Sequence, residues 1–483
     1  MRIVQVVHAF PPESMTGTEL CTYYLSKELA RAGHELFVFT ASRNIAEDRY
    51  HIVREKYEGL DVARIGNWFQ SELDQWRTFV DFQVENGFRD YIKEVNPDIV
   101  HIQHLLGLST SIVQVLFEMS IPIVFTAHDY WYVCPKIQLL DRNGQVCSGP
   151  AEGYKCEWCV ADLLEEPGKN GPAENVTIQA PSGFSIKRML PARLKHGIKT
   201  ALVPEIEEIG RLSAEVQSLR KEIERLHSSM QNFVGRYDFL ASMLNKVDLI
   251  ITPSAYTKMK CVGFGFPEEK VRTVYHGLHT ESFGKKTKSE ADVIRFAYFG
   301  GFLKHKGIEV LLEAFSNVPR SEGSLQIFGS ESNAETKKHL KQLAGPADVV
   351  FRGRYDNNHM SELLSDVDVV IVPSLWEETF NLVVREAFLT NTPVIASRIG
   401  ALEEAIEEGV DGFLVQPGSV QEMRRKIQML ISDPEILPRL KQGIKPVKDL
   451  SRQASEIESV YEEIISKHRS EASRDRTQDK DRG

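Results

Sequence analysis

The stretch Val369–Ser397, VVIVPSLWEETFNLVVREAFLTNTPVIAS, constrains the fold of this chain more than any other. Val369–Val372 is a short apolar run with β-branched residues, the pattern of a strand buried on both faces of a parallel sheet. Pro373 and Ser374 end it. A helix is expected from about Asn381, with Val383, Val384, Ala387 and Phe388 at helical spacing, and Pro393 then precedes a second buried strand, Val394–Ala396.

Two acids frame the turn into that helix: Glu378 in the loop and Glu386 about one turn into the helix. The backbone N–H groups of Phe380, Asn381 and Leu382 should point out of the helix N-terminus and, with the helix dipole, form an anion site. Carboxylates there would repel a phosphate. They make sense if they accept hydrogen bonds from hydroxyls flanking a diphosphate, because one carboxylate can take both hydroxyls of a ribose or sugar diol. The residues alone leave a second reading open, in which both acids only complement the dipole.

At 483 residues the chain is long for one domain, and two or three are expected. A net charge of -10 and a pI near 5.9 argue against a general nucleic-acid binder. No apolar run reaches membrane-spanning length, and MRIVQVVHAF meets Pro11-Pro12 so soon that it reads as a first strand rather than a signal peptide. A cytoplasmic placement is therefore expected, with docking on a membrane surface open. In that compartment the six cysteines are expected as thiols or metal ligands.

Along the first part, Ile3–Val7 reads as a strand, Thr18–Ala32 as a helix after Gly17, and Glu35–Thr40 as the next strand, a Rossmann-like opening. Gly17 would let the backbone approach a ligand closely. Ile99–Gln103 and Ile121–Ala127 are further strands. Ligands of open parallel sheets sit at the carboxyl ends of strands, which singles out His128 and, less directly, His104, and leaves His101 as structural. Cys134, Cys147, Cys156 and Cys159 share one polar loop, and the Cys156-x2-Cys159 spacing suits half of a structural zinc site. The stretch from Asn175 to Pro204 carries no acid and reads as a basic amphipathic segment able to meet anionic lipid. A heptad row follows from Ile209 to Leu244, expected to pair with a second copy or to fold within the chain. Val247–Thr252 and Val271–Tyr275 complete a first domain over 1–284, and Lys285–Asp292 is a polar linker.

The second domain, 285–467, opens with Arg295–Phe299 and Gly300. Lys304, Lys306 and Gly307 before the helix Ile308–Phe315 make an anion cradle. A final helix is expected over Ile457–Ile465, and the polar residues 468–483 are expected to be disordered.

Glu378 and Glu386, with Phe380 two residues after the first acid, resemble the Glu-x7-Glu signature of retaining glycosyltransferases of the GT-B fold, family 4. The resemblance covers most of the chain outside the insertion and the tail. It implies an α/β fold of two doubly wound Rossmann-like domains, GT-B, with the Cys-rich loop and heptad helix of about 140–231 as a helical insertion in the first. The implied reaction moves a sugar from a UDP- or GDP-sugar to a glycan, lipid-linked or small-molecule acceptor, without a cofactor. By resemblance Glu386 takes the ribose, Glu378 the sugar hydroxyls, and Gly300, Lys304, Lys306, Phe380, Asn381 and Leu382 the diphosphate. His128 contacts the transferred sugar, and Gly17 and His104 face the acceptor. Three positions depart from the family pattern: Asn381 and Gly301 stand where glycine and arginine are usual, and Thr16-Gly17 keeps only one glycine of a pair. These departures leave room for a binding protein without turnover, or for an epimerase of the same fold.

Overall fold

The computed structural model describes residues 1–45, 49–69, 79–151, 153–160, 233, 235–280, 283, 293–329 and 334–480. Residues Ala151–Arg236 form one compact unit and the rest of the chain another. The larger unit holds two sheets.

The first sheet has eight strands: β1 (Arg2–Val7), β2 (Glu35–Ser42), β3 (Ile52–Tyr57), β4 (Leu60–Gly66), β5 (Ile99–Ile102), β6 (Ile123–Thr126), β7 (Leu249–Thr252) and β8 (Val271–Thr273). They lie in the order β3-β4-β2-β1-β5-β6-β7-β8, all parallel except β3. The second sheet is parallel throughout: β9 (Ile294–Phe299), β10 (Gly323–Phe328), β11 (Asp348–Gly353), β12 (Val369–Val372), β13 (Val394–Ser397) and β14 (Gly412–Val415) in the order β11-β10-β9-β12-β13-β14.

Both sheets are covered on both faces, which is why their inner strands read as unbroken apolar runs. Along β12, Val369 and Ile371 enter one core while Val370 and Val372 enter the other, as the two-residue period of a strand requires. β1 divides in the same way, Val4 and Val6 against Ile3 and Val7.

Three features differ from the sequence reading. The hairpin β3–β4 was not anticipated, because β3 (IVREKY) is largely exposed and offers no buried alternation. The last helix runs Leu450–Lys480, continuing into the residues expected to be disordered. Its apolar side, Ala454, Ile457, Val460, Tyr461, Ile464 and Ile465, packs on the first sheet, not the second. It returns to the first domain and covers the face that Ile3, Val7 and Val38 present.

Candidate functional site

The motif loop after β12 is built around one carboxylate. Glu378 is buried, and its Oε1 accepts from Ser374 Oγ at 2.6 Å, Trp376 Nε1 at 2.8 Å and Lys306 Nζ at 2.9 Å. The Lys306 charge and these donors hold its pKa below the ordinary range against the opposing effect of burial, which is the largest single influence. Oε2 makes no hydrogen bond among the described residues. Lys306 also stands 4.9 Å from the Trp376 ring centroid. Gly307 sets this contact: its φ is +71°, and a Cβ there would stand 1.8 Å from the Pro373 carbonyl oxygen. Only glycine lets the lysine turn lie against the motif loop.

The helix Leu382–Leu389 begins at Asn381, whose φ is 66° and whose Oδ1 accepts the Val384 N–H at 3.2 Å. The usual glycine is thus replaced by another residue that tolerates positive φ, and this one also caps the helix. The N–H groups of the first turn are the ones at which the sequence reading expects an anion. Glu386, one turn on, has no hydrogen bond or ion pair among the described residues. Burial alone pushes its pKa up to about 7. Tyr24 and Tyr355 both lie within reach of its charge.

The first domain supplies the other wall. His128, just past β6, gives its Nε2–H to Gln103 Oε1 at 2.6 Å, and its carbonyl accepts the Thr379 hydroxyl of the motif loop at 2.6 Å. Burial, then the neighbouring His276, pushes the His128 pKa well below the usual range, so the ring is neutral at pH 7. His128 is thereby joined through its carbonyl to the motif loop at the residue after Glu378. His104 differs from its expected role: its Nε2 bonds Asp129 at 3.0 Å and its Nδ1 accepts the Leu106 N–H at 3.0 Å. With both nitrogens engaged it orders Asp129 and offers no ring nitrogen to an acceptor. Gly17 is the exposed first residue of the helix Gly17–Arg31, with open space around its Cβ position, so no close approach within the chain requires it. Lys304 is exposed in the turn that carries Lys306, and Gly300 follows β9.

Sequence reasoning missed the residues that bind the motif loop to the helix Ala255–Gly263. Glu377 pairs with Lys260 at 2.7 Å and accepts the Tyr256 hydroxyl, while Thr257 donates to the Thr379 carbonyl at 3.1 Å. Glu404, expected as structural, accepts the Ala255 and Tyr256 N–H groups at that helix's N-terminus. No local pattern announces such partners, which lie more than a hundred residues apart. The Asp-x-Asp run at Asp366 and Asp368 precedes β12 at its amino end, where both acids pair with Arg295.

Among the described residues no group of three or more His, Cys, Asp or Glu side chains could hold a metal ion. Cys134, Cys147, Cys156 and Cys159 form no disulfide. The basic segment, the linker and most of the heptad row lie outside the described residues. The end of that row is described: Leu240 and Leu244 are buried in the first domain's own core, so there it is covered within the chain rather than by a second copy. No helix among the described residues is long and apolar enough to cross a membrane.

A model of "Glycosyl transferases group 1" matches residues 280–446, and one of "Glycosyltransferase Family 4" matches residues 15–145. An uncharacterised glycosyltransferase of Methanocaldococcus jannaschii is 28% identical over 258 residues, 50% of this chain and 63% of that protein. The match thus falls short of two-thirds of that relative's length. Two solved structures share the fold at 16% identity: sucrose-phosphate synthase from Thermosynechococcus elongatus, with a TM-score of 0.63 over 96% of this chain and 99% of that one, and Anabaena HepE in complex with UDP, with a TM-score of 0.60 over 96% and 100%. Two doubly wound sheets, a paired-acid motif at the start of a helix and these matches lead to one conclusion: the chain belongs to glycosyltransferase family 4, the group 1 glycosyltransferases of GT-B fold.

Proposed function

We propose that this protein is a retaining glycosyltransferase that takes its sugar from a nucleoside-diphosphate sugar. The observation that carries the proposal is Glu386: a partly buried carboxylate with no hydrogen bond or ion pair among the described residues, on the helix whose capped start follows the Glu378–Lys306 pair. A carboxylate kept without partners calls for hydroxyl donors, and the neighbouring N–H groups and Lys306 call for a diphosphate. A nucleotide sugar carries both. The HepE relative of similar fold was solved with UDP.

In this reading Glu386 takes the ribose diol, the helix N-terminus and Lys306 take the diphosphate, and Glu378 Oε2 takes a sugar hydroxyl while Oε1 steadies the lysine. The bond from the anomeric carbon to the diphosphate oxygen breaks, and a bond to the acceptor hydroxyl oxygen forms on the same face. The acceptor's proton passes to the departing diphosphate. The preorganised N–H groups and the lysine stabilise the charge that develops on that leaving group. A glycan, lipid-linked or small-molecule acceptor enters from the His128 side.

The test is incubation with a panel of UDP-, GDP- and ADP-sugars, read by mass spectrometry. Consumption of at least one, with release of the nucleoside diphosphate, is expected. Interconversion of sugars without release would mark an epimerase, and binding without conversion a protein that has lost turnover; either refutes the proposal.

A further inference from the structure

The last helix is joined to the segment after β8 at its first residues. Leu278 N–H donates to the Lys448 carbonyl and Leu450 N–H to the Leu278 carbonyl, both at 3.0 Å. Gly277 lies so close that a Cβ would stand 2.2 Å from the Asp449 carbonyl oxygen. Gln453 then uses both ends of its amide on this segment: Oε1 accepts the Gly277 N–H at 2.8 Å, and Nε2 lies 3.1 Å from His276 Nδ1. The Gly277 N–H fixes which end of the amide is oxygen, and an amide nitrogen can only donate. His276 Nδ1 is therefore the acceptor, and the neutral ring carries its proton on Nε2. That Nε2 makes no hydrogen bond among the described residues. The ring is 6% exposed, stacks on His128 with centroids 5.0 Å apart, and meets Phe380 edge-on at 5.1 Å.

We propose that His276 donates a hydrogen bond from Nε2 to the nucleoside-diphosphate leaving group, and that Gln453 of the last helix is the positioning residue that keeps the proton there. The inference rests on the glycosyltransferase reading above and names a further residue of the same site. His276 touches both walls: His128 at the end of β6, and Phe380 at the head of the helix assigned to the diphosphate. A placed neutral N–H stabilises charge as it develops on the leaving phosphate and needs no rearrangement when it does. His128 complements it. Its Nε2–H is given to Gln103, so its lone pair is on Nδ1. Behind Gln103 a buried series fixes that choice: Gln103 Nε2 to Gln5 Oε1 at 2.8 Å, Gln5 Nε2 to the Tyr461 hydroxyl at 3.3 Å, and that hydroxyl to His101 Nδ1 at 2.6 Å. The last helix thus sets one ring as donor through Gln453 and braces the other as acceptor through Tyr461.

Three variants test the proposal with a nucleotide sugar that the wild type consumes. His276→Phe keeps a ring for stacking and loses the N–H. His276→Asn loses the ring and keeps an N–H. Gln453→Leu leaves the ring and frees its tautomer. The Phe variant should lower kcat at least 30-fold with KM for the donor within threefold. The Asn variant should recover at least tenfold of that loss, and Gln453→Leu should lower kcat by three- to tenfold. Nitrogen-15 spectra of wild-type imidazoles should show His276 as the Nε2–H tautomer, and should show mixed tautomers in Gln453→Leu. A Phe variant as active as wild type, or an Asn variant no better than Phe, would make the ring mere packing and overturn the proposal. If the variants do not fold, the wild-type spectrum decides alone, and an Nδ1–H tautomer overturns it. A wild type inactive on every donor refutes the glycosyltransferase reading itself, and this inference with it.

Discussion

Replacing Glu386 by Gln should make the empty protein more stable and its donor complex weaker. The pKa of this carboxyl rises from an ordinary 4.5 to about 7 through burial. A raised carboxyl pKa means that the folded state holds a proton which the unfolded state has lost between those two values, so stability falls as pH rises across that window. The gap corresponds to an upper bound of about 3 kcal/mol above pH 7. Solvent reaches this partly buried residue, so about 1–3 kcal/mol is expected. Glutamine keeps the shape and removes the cost. Scanning calorimetry at pH 8 should show the variant melting about 2–10 °C higher, and the gain should vanish near pH 4. Donor affinity moves the other way, because charge-assisted hydrogen bonds to the ribose are worth roughly 1.5–3 kcal/mol each. Isothermal titration should find the variant about 10- to 100-fold weaker at pH 8. Wild-type affinity for a nucleotide sugar should itself drop roughly tenfold from pH 8 to pH 6, as Glu386 must lose a proton to bind. His128 and His276, both held neutral by burial, do not titrate in that interval. A variant less stable than wild type at pH 8, or an affinity indifferent to pH, would refute the reasoning.

Lys306→Met should weaken nucleotide-sugar binding at least tenfold by calorimetry and lower stability by about 1–3 kcal/mol in urea unfolding, since buried Glu378 loses its charged partner. Gly301→Arg restores the arginine usual in the family at a position with no positive φ and only Leu303 nearby, so donor affinity should rise about three- to tenfold in the same titration. Glu377→Gln loses the Lys260 ion pair that holds the motif loop against the first domain, and should lower kcat more than it raises the donor KM in steady-state assays.

The sheets were legible because strands buried on both faces leave β-branched runs that local pattern alone reveals; β12 matched the reading at both ends. The β3–β4 hairpin was not, since its residues serve an exposed edge. Glu378, Glu386 and the helix start between them stood out because they lie within one short stretch, and Lys306, 72 residues from Glu378, stood out through its own glycine turn. The tertiary partners did not. Nothing local to His276 states that Gln453 will hold its ring, nor does anything near Glu377 announce Lys260. His104 shows the converse error. Its place near a strand end suggested an acceptor contact, while the fold used both its nitrogens on Asp129 and Leu106.

The most direct test of the central claim is proton NMR of the reaction, with an α-linked nucleotide sugar as donor. The anomeric signal of the donor should decline while a new signal with the same α configuration appears, at a rate that falls at least tenfold in Glu386→Gln. A β-configured first product would contradict the retaining mechanism, and a donor signal unchanged for every nucleotide sugar tried would contradict the glycosyltransferase assignment.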